Sequence, residues 1–185
     1  MKKRDAESTR SKITACAQQL FTEKGYDGAG IREIAACAGV DAALIARYFG
    51  SKRQLFEEAV IPHFNINAMM DVPAKAFAEA VSKEYAFKAR EAKPQFDPMI
   101  ALLKSASSGE VCDLIRDAID KQVITPLSGK VEGQNALPRA ALIVSFLGGF
   151  DLLRRIIAVS SMSTTHNQML AEELRRAIEA LLQPG

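Results

Sequence analysis

Residues 31–55, IREIAACAGVDAALIARYFGSKRQL, constrain this chain more than any other stretch. Ile31, Ile34, Ala35 and Ala38 recur at three- and four-residue spacing and make one apolar helix face. Gly39 ends that helix, because glycine tolerates the left-handed conformation found just past a helix terminus. Asp41 then stands where a side-chain oxygen can cap a new helix, which carries Leu44, Ile45, Tyr48 and Phe49 and ends at Gly50. Ser51 can cap the next one. Helix, glycine turn and helix at this spacing is the layout of a helix-turn-helix, whose second helix lies in the DNA major groove.

The rest of the chain predicts an all-α fold. Hydrophobic residues are 48% of the 185, enough for a core, and the seven prolines and eleven glycines fall between periodic segments. No sustained two-residue alternation signals a strand. Helical spacing predicts helices over about 6–24, 31–38, 42–48, 52–61, 73–91, 97–107, 110–125, 138–160 and 165–182, with a loop over 126–137. These give about nine helices: a three-helix head over 1–50 and a helical body over 51–185.

Composition excludes several classes. No apolar run is long enough to span a bilayer, and the basic N-terminus MKKRDAESTR leads into an amphipathic segment, so it does not read as a signal peptide. A cytoplasmic protein without a membrane partner is expected. Cys16, Cys37 and Cys112 are odd in number and lack C-x-x-C spacing, which argues against a disulfide framework and a zinc site. They read as three small apolar residues, and neither metal nor cofactor is expected. Residues 1–55 hold ten Lys and Arg against six Asp and Glu, whereas the remainder holds fourteen against sixteen. A basic first third on a mildly acidic body suits a nucleic-acid-binding head.

The segment 138–160 is apolar nearly all round: between Ala140 and Phe150 its one polar side chain is Ser145. Such a helix must be covered on more than one side. Gly148 and Gly149 remove bulk where another helix can approach, and the last helix has its own stripe of Leu170, Leu174, Ala177, Ile178 and Leu181. Leu142, Ser145, Gly148, Gly149, Leu170, Leu174, Ile178 and Leu181 are thus expected at a homodimer interface, a four-helix bundle from two copies. The other reading is that both helices are core of one chain.

The N-terminal 55 residues resemble the TetR family of transcriptional repressors. The resemblance rests on Ile13, Ala17, Leu20-Phe21, Gly25-Tyr26, Ile31, Ile34-Ala35, Ala38-Gly39-Val40, Phe49, Ser51-Lys52 and Leu55. It implies a three-helix DNA-binding head and a body that forms the dimer and often holds a small ligand. The chain departs from the pattern at Ala29 and Gly30, where the family commonly has Thr-Ser, and at Ala46, where it often has Tyr. Asp41 replaces the usual capping serine.

On double-stranded operator DNA, Arg47 is the residue of the second helix able to reach guanine O6 and N7, or else it contacts phosphate. Ala42, Ala43 and Ala46 suit thymine methyls or close approach, and Leu44 does the same or is buried. Tyr48 and Lys52 match phosphate-contacting positions of the family, and Arg32 is a further phosphate partner. The basic run at 2–4 is either an arm onto DNA or a solubilising tail. For a small apolar effector the candidates are His63, Phe64, Phe77, Phe96, Met99, Leu103, Phe146, Phe150 and Arg154, set against their reading as plain core or surface. Asp151 with Arg154 or Arg155 reads as a helix ion pair. Two distant histidines and the lack of a nucleophile elbow, a phosphate loop or metal spacing argue against an enzyme. The expected function is a DNA-binding transcriptional regulator, a ligand-responsive repressor on a palindromic operator. The alternative is a helical dimer that binds protein or ligand without an operator.

Overall fold

The computed structural model describes residues 2–65, 67–88 and 96–183, with the side chains of 2–5, 67, 68, 74 and 75 left aside. The described residues are helical, without strands. In chain order the helices are α1 (Lys2–Gly28), α2 (Ile31–Ala38), α3 (Ala42–Phe49), α4 (Lys52–Ala59), α5 (Asn67–Met70) and α6 (Ala74–Phe87). They continue with α7 (Pro98–Ser105), α8 (Cys112–Ile119), α9 (Thr125–Ser128), α10 (Ala136–Asp151) and α11 (Asn167–Leu182). Two stretches wind more loosely, as π-helix, at Asp120–Ile124 and Leu152–Ile157.

The chain forms two compact units, residues 1–64 with 93–116, and residues 65–92 with 117–185. In the first, α1 packs on α2, α4 and α7, and α3 bridges α2 and α4. Ile13, Ala17 and Phe21 of α1 are buried with Ile34 and Ala35 of α2, Ile45 and Phe49 of α3, and Leu55 and Phe56 of α4. Phe21, Tyr26 and Phe56 form an aromatic cluster, with Phe56 edge-on to both others at 5.0 and 5.5 Å. The regular part of α1 breaks at Gly25, as the sequence predicts. Its φ is +70°, and a Cβ there would lie 2.6 Å from the Lys104 carbonyl oxygen, so both backbone and space require glycine. Lys104 Nζ donates to the carbonyls of Thr22 and Glu23 at 3.0 and 2.7 Å, which serves carbonyl groups the break leaves over.

In the second unit α11 lies along α6, and α10 touches α6, α9 and α11. Its core joins Phe77 and Val81 of α6, Leu127 of α9, Ile143, Leu147 and Phe150 of α10, and Leu174 and Ile178 of α11. Asp151 and Arg155 form a buried ion pair at 3.1 Å, one of the two pairings expected.

Three expectations need correction. Cys16 and Cys37 are joined in a disulfide, their Cα atoms 5.8 Å apart, and only Cys112 is free. The pair stands 21 positions apart in sequence, but the α1–α2 crossing brings the two together. Residues 126–128 of the expected loop are helical, in a helix that starts at Thr125. The long apolar helix stays regular only to Asp151 before the looser turns take over.

Candidate nucleic-acid interface

The geometry of the head follows from its caps. Gly39 takes φ +66°, ψ 36°, and its N–H closes onto the carbonyls of Ala35 and Ala36, which ends α2 and turns the chain. Asp41 Oδ1 accepts the N–H of Ala43 at 2.7 Å and starts α3. Ser51 Oγ accepts the N–H of Gln54 at 3.1 Å and starts α4. α2 begins at Gly30 with no side-chain cap bond, consistent with the missing Thr-Ser pair. Ile45 and Phe49 face the core of the unit, and that alone turns Ala43, Ala46 and Arg47 outward, three or four residues apart on one face.

These three exposed residues form a narrow strip bearing one cation. Ala42, Leu44 and Tyr48 flank it and are half-buried, while Arg32 on α2 is exposed. The C-terminal end of α3 is fixed by Arg10: its Nη1 donates to the Tyr48 carbonyl at 2.6 Å, its guanidinium lies 4.4 Å from the centre of the Phe49 ring, and it pairs with Glu58. Lys24 pairs with Glu33, which ties α1 to α2. Lys52 sits with Nζ 4.3 Å from the Tyr26 ring centre, a cation–π contact that holds it at the start of α4. The Tyr26 hydroxyl donates to Glu110 at 2.7 Å, and burial, then that acidic partner, pushes its pKa well above the ordinary phenol range.

Arg10 and Tyr26 hold the frame in place, and sequence reading gave neither a role at the interface. Their signal lies in the fold, since Arg10 meets residues 38 and 48 positions away and Tyr26 meets Glu110. The basic run at 2–4 falls on side chains outside those described.

The residues expected at an effector site are divided between the units. In the first, Phe64 is buried, Phe96, Met99 and Leu103 are half-buried, and the exposed His63 ring stands edge-on to Phe96 at 5.2 Å. In the second, Phe77 and Phe150 belong to the apolar core. Arg154 is buried and donates to the Met162 carbonyl at 2.9 Å and to Asn167, with the Phe150 ring 5.8 Å away. Burial pushes its pKa down. Phe146, also named for an effector site, is 49% exposed. A groove of about 670 Å³ in the second unit is lined by other residues, Lys83, Glu84, Phe87, Lys88 and Gln168.

Of the residues expected at a subunit interface, Leu142 is 50% exposed and Ser145 is exposed, while Gly148, Gly149, Leu170 and Leu181 are half-buried. Leu174 and Ile178 correct the expectation: they turn into the core of their own unit, because the stripe of α11 is already covered by α6.

Comparison with known proteins places this geometry. The model of bacterial regulatory proteins of the tetR family matches residues 13–59, and that of the tetracyclin repressor-like C-terminal domain matches residues 83–182. YttP of Bacillus subtilis (strain 168), a probable HTH-type transcriptional regulator, is 45% identical over 53 residues. Those residues are 29% of this chain and 26% of that protein, so the match spans about a quarter of the relative. Among solved structures, NemR of E. coli in its reduced form has a TM-score of 0.70 at 16% identity, covering 91% of this chain and 95% of that one. NalD, the secondary repressor of the MexAB-OprM multidrug efflux pump in Pseudomonas aeruginosa, has a TM-score of 0.64 at 18% identity, covering 93% and 97%. At these identities the likeness to the solved structures is one of fold.

Proposed function

We propose, because this chain belongs to the TetR family of bacterial regulatory proteins and is a DNA-binding transcriptional regulator, that it acts as a homodimeric repressor of a palindromic operator and responds to a small molecule. The carrying observation is the outward strip of Ala43, Ala46 and Arg47 on α3, held from behind by Ile45 and Phe49 and capped by Asp41. In this reading residues 1–50 are the DNA-binding segment, and 51–185 serve dimerisation and ligand binding. Arg47 reads guanine or grips phosphate, while Ala42, Ala43, Leu44 and Ala46 let the helix sit close to the bases. Tyr48, Lys52 and Arg32 take phosphates, Lys52 with help from the N–H groups at the start of α4.

The homodimer rests on α10. Leu142 and Phe146, one turn apart, leave apolar surface open at about half their area, and Ser145 between them donates to its own helix at the Ala141 carbonyl. A second copy of the same face would cover them with a two-fold interface. Two heads must then sit about 34–36 Å apart to meet successive major grooves. A small molecule represses or releases binding only through unequal affinity for the two head spacings. NalD, one of the structures of similar fold, is a repressor, which supports repression as the direction.

Selection of bound duplexes from a random pool tests the reading. A recovered palindrome with half-sites one helical turn apart agrees with it. A pool without enrichment, from protein that is dimeric in solution, favours instead a helical dimer that binds protein or ligand, the reading suited by the single charged side chain on the exposed strip of α3.

A further inference from the structure

We propose that Cys16 and Cys37 form a reversible thiol–disulfide site that reacts with low-molecular-weight thiols and disulfides, and that its oxidised state binds duplex DNA more tightly. The second half rests on the DNA-binding reading of α3 given above.

The bridge joins the middle of α1 to the last turn of α2. It does not lie inside a core: Cys37 is exposed and Cys16 half-buried, so solvent and small thiols reach the bond from the α2 side. Nor do the helices need it to meet, because Ile13, Ala17, Ile34 and Ala35 already close their apolar contact. What the bond adds is a constraint on α2. That helix has eight residues, and helices shorter than ~12–15 residues are marginal alone. Among α2, α3 and α4 it is the one whose N-cap, Gly30, makes no side-chain bond, whereas Asp41 and Ser51 cap the other two. α2 carries α3 through the Gly39 turn. Freedom at α2 therefore becomes freedom in where Arg47 points.

The chemistry is thiol–disulfide exchange. The Cys37 thiolate attacks one sulfur of a small disulfide RSSR, forming a mixed disulfide at Cys37 and releasing one RS⁻, which takes up the proton the cysteine gave up. The Cys16 thiolate then attacks the Cys37 sulfur and expels the second thiolate, which is protonated in turn. Two protein thiols and RSSR become one protein disulfide and two RSH. Reduction runs in reverse, with an external thiolate attacking the exposed Cys37 sulfur and Cys16 leaving.

The test uses the full chain with Cys112→Ser, so that only this pair is counted, equilibrated with reduced or oxidised glutathione. Alkylation under denaturing conditions and mass spectrometry should find both thiols in the reduced protein and neither in the oxidised one. Cys16→Ser should retain one glutathione on Cys37. In fluorescence anisotropy on a random-sequence duplex at fixed low salt, the oxidised protein should bind about three- to tenfold tighter than the reduced. Cys37→Ser should match the reduced protein and ignore glutathione. Persistence of both thiols in oxidised glutathione overturns the site, as does a stable adduct with Cys16 still free. Equal or weaker binding by the oxidised protein overturns the coupling to DNA. If neither state binds duplex, the DNA-binding reading fails with the coupling, and the alkylation count still decides the redox site.

Discussion

The two units are held together by different means. In the first, short helices are pinned by polar side chains that reach across the sequence: Arg10 to the Tyr48 carbonyl, Gln18 to the Ala59 carbonyl, Lys104 to α1, and Arg53 to Asp113. In the second, helices of fourteen and sixteen residues meet along an apolar core, and ion pairs such as Lys83–Glu79 and Arg175–Glu179 stay within one helix. An eight-residue helix has too little apolar face to fix its own orientation, so polar ties set it. A sixteen-residue helix has apolar surface to spare, and α10 leaves some of it uncovered at Leu142 and Phe146. The first unit is built for placement and the second for burial.

The sharpest way to break this comparison is to remove apolar bulk from the first unit. Phe56 is fully buried between Phe21 and Tyr26, so Phe56→Ala should cost about 3–5 kcal/mol and unfold the first unit before the second. Urea denaturation followed by amide exchange would locate the loss. A loss below about 1 kcal/mol would mean that the polar ties, not the aromatic cluster, carry the unit.

Next is the uncovered stripe of the body. Phe146→Glu should leave the folded chain intact, because the ring is half-exposed, yet weaken self-association by about 2 kcal/mol or more, roughly thirtyfold. Sedimentation over a concentration series measures this. An unchanged association constant would place the interface elsewhere and leave α10 with surplus apolar surface of another use.

A smaller effect separates the roles proposed for Arg47 and Lys52. Arg47→Ala should cost about 1–3 kcal/mol on a selected duplex and relax preference at one base pair if Arg47 reads guanine. Lys52→Ala should weaken binding to all duplexes alike and lower the slope of affinity against salt by about one unit. The Lys52 contact with Tyr26 must then give way to a phosphate. An unchanged slope would show that Lys52 stays with the ring.

Much of this arrangement was legible in the sequence, and the rest was hidden for physical reasons. The turn at Gly39, the caps at Asp41 and Ser51 and the break at Gly25 are local events, and each stands where residue chemistry alone puts it. The outward strip of α3 follows from period alone. The Cys16–Cys37 bond, the Arg10 tie and the burial of Ile178 depend on which helix crosses which, and periodicity carries no information on that. Ile178 shows the limit well: an apolar stripe says that something covers it, not whether the cover is α6 or a second copy.

The smallest predicted effect turns on two carboxylates held down to about the same value, about 2, by partners of different reach. Asp113 is held down to about 2, from an ordinary 3.8, chiefly by the hydrogen bonds from Arg53 of α4. Glu172 is also held to about 2, chiefly by Arg175 of its own helix. Because both folded values are depressed, each contributes stability that is present above the unfolded value near pH 4 and is lost as pH falls toward 2. Losing the Glu172 pair loosens one helix surface, whereas losing Asp113 unties α4 from α8. Acidification through that window should therefore raise amide exchange at the start of α4, and Asp113→Asn should make the exchange there high and flat in pH. Glu172→Gln should change exchange in α11 alone. Carboxyl carbon shifts give the two titrations directly. If α4 exchanges at the same rate across the window in the unmodified chain, the Arg53 tie does not orient that helix, and the division between placement and burial fails at the helix that follows the outward strip of α3.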